Sequence, residues 1–222
     1  MNNRKGIIFK IRRRIYKIRR KIWFAYWINK DKKRGVDFFT MVENKGTPEE
    51  LAGHIHYEAT GFLFERDLKK FLSQQNHAND RIIDVGCGKG RMLEFFHALG
   101  FSKSDGLEYS LELAEIARKN MKTLELPCGV FTGDAAEFDG YDSYNWFYLY
   151  NPFSHNIMLR FIGKIQESLR RNPRKITIVY TNPVCESDFA KAGFCLGYAS
   201  AGIYYFRVIT NEKMPEEDAG SK

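Results

Sequence analysis

Asp84, Gly86, Gly88, Gly90 and Glu108 are the residues whose types and spacing point most directly to chemistry. The run Ile82-Ile83-Asp84-Val85-Gly86-Cys87-Gly88-Lys89-Gly90-Arg91 passes from an apolar strand into a turn with glycine at every second position, then into an amphipathic helix. Glycine there permits a tight turn, close approach of a ligand to the backbone and close packing of helix on strand. The helix presents its free N–H groups and the positive end of its dipole to the turn, which favours a negatively charged group. Glu108 closes the next strand-like run, Lys103 to Glu108, 18 residues after Gly90, where a ribose hydroxyl would need an acceptor. The pattern is that of a nucleotide site.

Holding these residues in place requires strands alternating with helices. Phe62, Leu63, Phe64, Leu68, Phe71 and Leu72 recur at helical spacing between Gly61 and about Gln75, a helix expected to cover one face of a sheet. After the glycine turn, Met92, Leu93, Phe95, Phe96 and Leu99 give a short helix that Gly100 stops. Ser110 caps a helix to about Met121, and Cys128 to Thr132 forms a third strand leading into Gly133-Asp134-Ala135. Tyr144 to Tyr150 is an almost unbroken aromatic and apolar run, as a central strand buried on both faces would be. A helix over Ile157 to Leu169, a fifth strand over Lys175 to Thr181 and a short helix over Glu186 to Lys191 follow. Phe194 to Ala199 and Ile203 to Ile209 close the sheet as a hairpin, and residues 211–222 are expected to be a disordered tail.

The order of acid, one residue, then G-x-G-x-G, in Asp84, Gly86, Gly88 and Gly90, with Glu108 and Gly133-Asp134-Ala135 behind it, resembles the class I S-adenosylmethionine-dependent methyltransferases. The resemblance covers about residues 55 to 210. A dinucleotide dehydrogenase would carry G-x-G-x-x-G, and Arg91 stands where its last glycine belongs. The resemblance implies an α/β, Rossmann-like class I methyltransferase fold, with a seven-stranded, mostly parallel sheet whose last strand is antiparallel. It implies S-adenosyl-L-methionine as cofactor, with Glu108 on the ribose hydroxyls beside Tyr109, and Asp134 and Ala135 at the adenine edge. Gly86, Cys87, Gly88 and Gly90 would pass under the nucleoside–methionine portion. Asp84 would orient the turn and the cofactor amine, the alternative being a structural cap on the loop. Tyr57 and Thr60 lie in a segment that commonly folds over the cofactor in this family, and are candidates for its methionine end or for ordinary packing.

Asn151-Pro152-Phe153 follows the fourth strand, and ligands in open α/β sheets sit beyond the carboxyl ends of strands. The tripeptide resembles the [Asp/Asn]-Pro-Pro-[Tyr/Phe] signature of amino-methylating enzymes, whose amide oxygen and prolyl-linked carbonyl accept hydrogen bonds from the target nitrogen. A second proline is absent and the aromatic arrives one position early, so nitrogen specificity is not carried over; a bend fixed by proline is the alternative. For an oxygen acceptor, His155 is the nearest candidate base.

The chain has 222 residues, room for one sizeable domain with appendages. The boundaries are a basic amphipathic arm over 1–34, a linker, lid and covering helix over 35–80, the catalytic domain over 81–210, and the tail. Thr47-Pro48-Glu49-Glu50 reads as a helix start inside the second of these. Cys87, Cys128, Cys185 and Cys195 form no C-x-x-C pair, which fits a reduced cytoplasmic setting. His54 and His56 have no cysteine nearby, and no metal is expected.

The net charge of +8 is unevenly placed: residues 1–34 carry fourteen Lys/Arg against Asp31 alone, a net +13, and the remaining 188 residues carry 21 basic and 26 acidic side chains, a net −5. A mildly acidic catalytic domain is a poor match for a phosphate backbone, which counts against nucleic acid as the acceptor. In residues 4–22, Ile7, Ile8, Ile11, Ile15, Ile18 and Ile22 fall within about a 100° stripe of a helix and the cations take the remainder. Trp23, Phe24, Tyr26, Trp27 and Ile28 then form an aromatic cluster of the kind found at membrane boundaries. Three readings compete: an interfacial helix on an anionic membrane, a helix packed on its own domain or a partner, and a nucleic-acid tether. Charges interrupt every apolar run, so the arm is neither a spanning helix nor a signal peptide.

The expected function is methyl transfer to a small-molecule or glycan acceptor by a cytoplasmic enzyme peripheral to the membrane, similar to bacterial stand-alone methyltransferases of unassigned substrate. The alternatives are a protein or nucleobase N-methyltransferase, and a non-catalytic S-adenosylmethionine-binding scaffold.

Overall fold

The structure, a computed structural model, describes residues 14, 18, 21–40, 62–201 and 205–212. A helix, α1, occupies 21–34 and a second, α2, Phe62–Leu72. The alternation then begins: β1 Arg81–Val85, α3 Arg91–Ala98, β2 Lys103–Glu108, α4 Leu111–Thr123 and β3 Val130–Thr132. After a 3₁₀ turn at Gly140–Ser143 come β4 Trp146–Tyr150, α5 His155–Arg171, β5 Thr177–Thr181, α6 Glu186–Lys191, β6 Cys195–Ala199 and β7 Phe206–Thr210.

These strands form one seven-stranded sheet in the order β3-β2-β1-β4-β5-β7-β6. The pairs β1 to β5 are parallel, and β7 runs antiparallel to both β5 and β6. The order reverses between β1 and β4, and in open α/β sheets a ligand crevice opens at that switch. The glycine turn leaves β1 there and Asn151 leaves β4 beside it.

Buried apolar residues cover both faces. On one, Phe147, Leu149, Ile178 and Tyr180 meet Met158, Phe161, Ile162 and Ile165 of α5. On the other, Ile82, Tyr148 and Val179 meet Leu68 and Leu72 of α2 and Met92 and Phe96 of α3. The Ser110 hydroxyl accepts the Leu113 N–H at 3.5 Å, so α4 starts where its N-cap residue places it. β3 and β4 are shorter than their apolar runs. The Asp105 side chain takes the Gly129 N–H at 2.7 Å, and β3 starts only at Val130; the Tyr144 hydroxyl turns to the same carboxylate at 2.5 Å, and β4 starts at Trp146.

The first forty residues depart most from the sequence reading. Asp31 lies in the last turn of α1, where its buried Oδ2 accepts the Phe38 N–H at 2.7 Å. Burial pushes the Asp31 carboxyl above its usual range, against the backbone hydrogen bonds that lower it. Residues 36–40, expected to be linker, form a strap whose Val36, Phe38 and Phe39 are buried with Cys87, Leu93 and Met121. Trp23, Phe24, Trp27 and Ile28 pack against that cluster, and the rings of Trp23 and Trp27 lie 5.5 and 5.4 Å from Phe39. Ile18, Ile22 and Tyr26, on the opposite side of the helix, are exposed. The helix start at Thr47 and the histidines at 54 and 56 lie outside the described residues.

Candidate active site

The turn after β1 needs its glycines. Gly86 has φ +86° and Gly90 φ +81°, in the left-handed region that side chains resist. Gly86 and Cys87 both donate to the Leu107 carbonyl, at 2.8 and 3.1 Å, which ties the turn to β2. Gly86 is exposed between the buried Val85 and Cys87, so bare backbone faces the crevice at the strand end. A Cβ at Gly86 would stand 2.8 Å from Pro152 Cβ. Gly90 caps α3 with no side-chain hydrogen bond.

Two acids flank this backbone. Glu108 is buried, and its Oε2 accepts the Gly88 N–H at 2.8 Å while Oε1 accepts the Ser110 N–H at 2.9 Å. Asp84 is only 3 % exposed and has no hydrogen bond or ion pair among the described residues. Burial, and next the Glu108 charge, hold its carboxyl well above the usual range. One acid is thus answered by amides, and the other has no such donor among the described residues. Cys87 differs: burial drives its thiol up, and its Sγ would stand 2.5 Å from a Cβ at Gly106, so it packs β1 on β2.

At the end of β2, Tyr109 is half-buried, and beyond β3 the Asp134 Oδ1 accepts the Ala136 N–H at 2.8 Å. Asp134 Oδ2 lies 3.8 Å from Arg160, and the buried Ala135 gives its carbonyl to the Tyr141 hydroxyl at 2.8 Å. Both therefore shape the loop that follows β3. Tyr57 and Thr60 lie outside the described residues.

Beyond β4, Asn151 has φ +39°, donates its N–H to the Thr181 carbonyl at 3.1 Å and accepts the Tyr180 hydroxyl on Oδ1 at 3.4 Å. Pro152 leans on Gly86. Phe153 turns away from the crevice: it is 3 % exposed, with its ring 5.9 Å from that of Phe161 in the core. Phe153, grouped in the sequence with the catalytic candidates, is here a packing residue, because the single proline points the following side chain under α5. His155 opens α5 and is exposed, its Nδ1 2.7 Å from Oδ2 of the buried Asp188.

Sequence reasoning missed Lys89. Its side chain is 1 % exposed, and Nζ donates to Asp37 Oδ2 at 2.8 Å and to the Thr40 carbonyl and hydroxyl, both at 2.7 Å. Burial alone would raise the Asp37 carboxyl, but the bonds from Lys89 and Thr40 outweigh it and hold it below its usual range. Asn120 completes the seam, accepting the Asp37 N–H at 2.8 Å and donating to the Asp37 and Lys89 carbonyls at 2.8 and 3.0 Å. Arg91 reaches Glu65 of α2 at 2.9 Å, while Arg34 of α1 pairs with Glu94. The signal was a lysine between glycines, a residue able to cross the turn and leave the crevice side bare.

Residues 82–172 match the methyltransferase domain family. The match spans the glycine turn, Glu108 and Asn151. No curated protein matches the chain in sequence. Among solved structures, the chain is similar to the PH0226 protein of Pyrococcus horikoshii OT3, at 16 % identity and TM-score 0.54, covering 68 % of this chain and 88 % of that one. A ribosomal-protein methylase of Lactobacillus delbrueckii subsp. bulgaricus gives 17 %, 0.51, 68 % and 79 % in the same order. A variant of MtNAS solved with S-adenosylmethionine gives 17 %, 0.53, 67 % and 62 %, so the chain spans less than two thirds of that protein. At these identities the likeness is one of fold, the class I methyltransferase fold.

Proposed function

We propose that the protein binds S-adenosylmethionine in the crevice between the glycine turn and Glu108, and transfers its methyl group to a small-molecule or glycan acceptor. The observation that carries the reading is Asp84, a buried carboxylate with no hydrogen bond or ion pair among the described residues, beside the exposed backbone of Gly86. A ligand with an ammonium group, a cationic sulfur and a ribose diol brings donors and positive charge to Asp84, whose carboxylate lies beside the Glu108 charge. When bound, the cofactor supplies a methyl group already activated by the positive sulfur. The chain's part is placement and exclusion of water: Gly86 gives access, Glu108 faces the ribose while holding the turn, and Asp134 with Ala135 borders the adenine.

Asn151 and His155 are the acceptor-side candidates, at the carboxyl end of β4 where the Pro152–Gly86 contact brings the two half-sites together. Calorimetry with S-adenosylmethionine, comparing the native protein with Glu108→Ala, tests the cofactor. Undetectable binding by the native protein would sink the reading. Methyl transfer from labelled cofactor into cell extract, with lipid, polysaccharide, protein and nucleic acid counted separately, identifies the acceptor class.

The arm supports work at an anionic membrane surface. Trp23 and Trp27 are engaged with the strap, but Ile18, Ile22 and Tyr26 follow one another at four-residue spacing on the exposed side, among the cations that give the arm its charge. Among the described residues no helix is long and apolar enough to cross a membrane. Flotation with vesicles containing phosphatidylglycerol should recover the native protein and lose the Ile18→Asp/Ile22→Asp variant; equal flotation of both would refute the membrane role of this face.

A further inference from the structure

At the carboxyl end of β5, His155, Cys185 and Asp188 bring an imidazole nitrogen, a thiol sulfur and a carboxylate oxygen within 4.8 Å of one another. The three come from two helix starts. His155 is the first residue of α5, Cys185 caps α6 and Asp188 follows three positions later, a spacing that puts the last two on one helix face.

Asp188 is the observation that asks for a ligand. It is 3 % exposed, and its Oδ2, although 2.7 Å from His155 Nδ1, is not met along a hydrogen-bonding direction. Its Oδ1 has Lys191 Nζ no nearer than 3.8 Å. A buried carboxylate oxygen without a hydrogen bond is unfavourable, and with an imidazole and a thiol beside it the carboxylate has more donor atoms around it than an ion pair requires. Cys185 is buried beside it, and the Tyr180 hydroxyl accepts the Cys185 N–H at 3.2 Å while donating to Asn151 Oδ1 at 3.4 Å.

We propose that His155, Cys185 and Asp188 bind a zinc ion through three protein ligands, leaving one coordination position open. Sulfur, nitrogen and oxygen together suit zinc and disfavour magnesium and calcium, which take all-oxygen shells. Bonds of about 2.0–2.3 Å set tetrahedral ligand atoms ~3.3–3.8 Å apart. The imidazole and carboxylate therefore separate slightly and the thiol closes in, adjustments available to a histidine that is largely in solvent. On binding, the Cys185 S–H bond breaks, the sulfur keeps the electron pair and forms the zinc–sulfur bond, and the proton leaves to solvent. Tyr180 links this cluster to Asn151, so an open position here would take an oxygen of the acceptor, a hydroxyl or a carboxylate. That last role rests on the methyl-transfer reading; the metal site does not.

The test uses the full chain, stripped by chelator and titrated with zinc alone against a chromophoric competitor. One equivalent should bind at sub-micromolar concentration, with calorimetric heat varying between buffers in the way release of one proton requires. His155→Ala, Cys185→Ser and Asp188→Asn should each weaken binding by about tenfold or more. His155 is exposed, so its variant keeps the fold and remains informative where the two buried substitutions fail to fold. Cobalt in place of zinc should show a thiolate charge-transfer band that Cys185→Ser abolishes. No zinc bound at ten times the protein concentration, or the same affinity in His155→Ala, would overturn the site and leave His155–Asp188 as an ion pair.

Discussion

A Cβ on Gly86 would stand 2.8 Å from Cβ of Pro152, so the backbone that leaves β1 and the ring that leaves β4 are in direct contact. Gly86→Ala should fail for two reasons. Its φ of +86° costs a side-chain residue about 1–2 kcal/mol, and the methyl group displaces Pro152. The expected outcome is a lower urea midpoint and at least a tenfold loss of S-adenosylmethionine affinity, read by calorimetry.

Asp84→Asn should stabilise the unliganded protein while removing cofactor binding. The folded carboxyl titrates above its unfolded value, so its contribution to stability is complete below the unfolded value and is lost as pH rises through the folded one. The variant should therefore gain over the native protein at pH 7.5 and lose that advantage toward pH 4. A gain of about 1 kcal/mol corresponds to a 2–4 °C rise in Tm for a chain of this size. Thermal unfolding at the two pH values checks the sign.

Lys89→Met removes the cation that meets Asp37 and Thr40. Asp37 titrates below its unfolded value, so its contribution is present above the unfolded value and disappears as pH falls through the folded one. With Asp37 39 % exposed, solvent screens part of the pair, and a loss of about 2 kcal/mol at pH 7 is expected, shrinking under acid. Urea midpoints at pH 7 and pH 3 measure it.

Phe153 and Asn151, two residues apart, should separate cleanly. Phe153→Ala should cost about 3–5 kcal/mol of stability and leave cofactor affinity unchanged in the folded fraction. Asn151→Gly keeps the positive φ and should stay within about 0.5 kcal/mol of the native protein, because glycine adopts that conformation freely. It should lower methyl transfer from labelled cofactor into extract without changing cofactor binding.

The sheet was legible because β1, β4 and β5 are apolar runs, and Ser110, Glu108 and the glycine turn mark the elements between them. What was not legible depends on polar contacts distant in sequence. Lys89 meets Asp37 and Thr40 some fifty residues away, and no periodicity announces it. Val36, Phe38 and Phe39 looked like linker because their partners Cys87, Leu93 and Met121 lie in three separate elements. The His155, Cys185 and Asp188 cluster is not legible in histidine and cysteine spacing, because His155 lies thirty residues before Cys185 and the third member is a carboxylate.

The seam at Lys89 makes the arm inseparable from the domain it precedes. A chain trimmed before residue 41 would lose more than a tether: Cys87, Leu93 and Met121 would meet water, and a lysine 1 % exposed would sit without its oxygen partners. Grafting a foreign leader onto the catalytic core therefore requires transplanting Asp37, Thr40 and the strap's two phenylalanines with it. Leader and core are exchangeable only as a matched set, and a substitution at the turn is answered in the first forty residues.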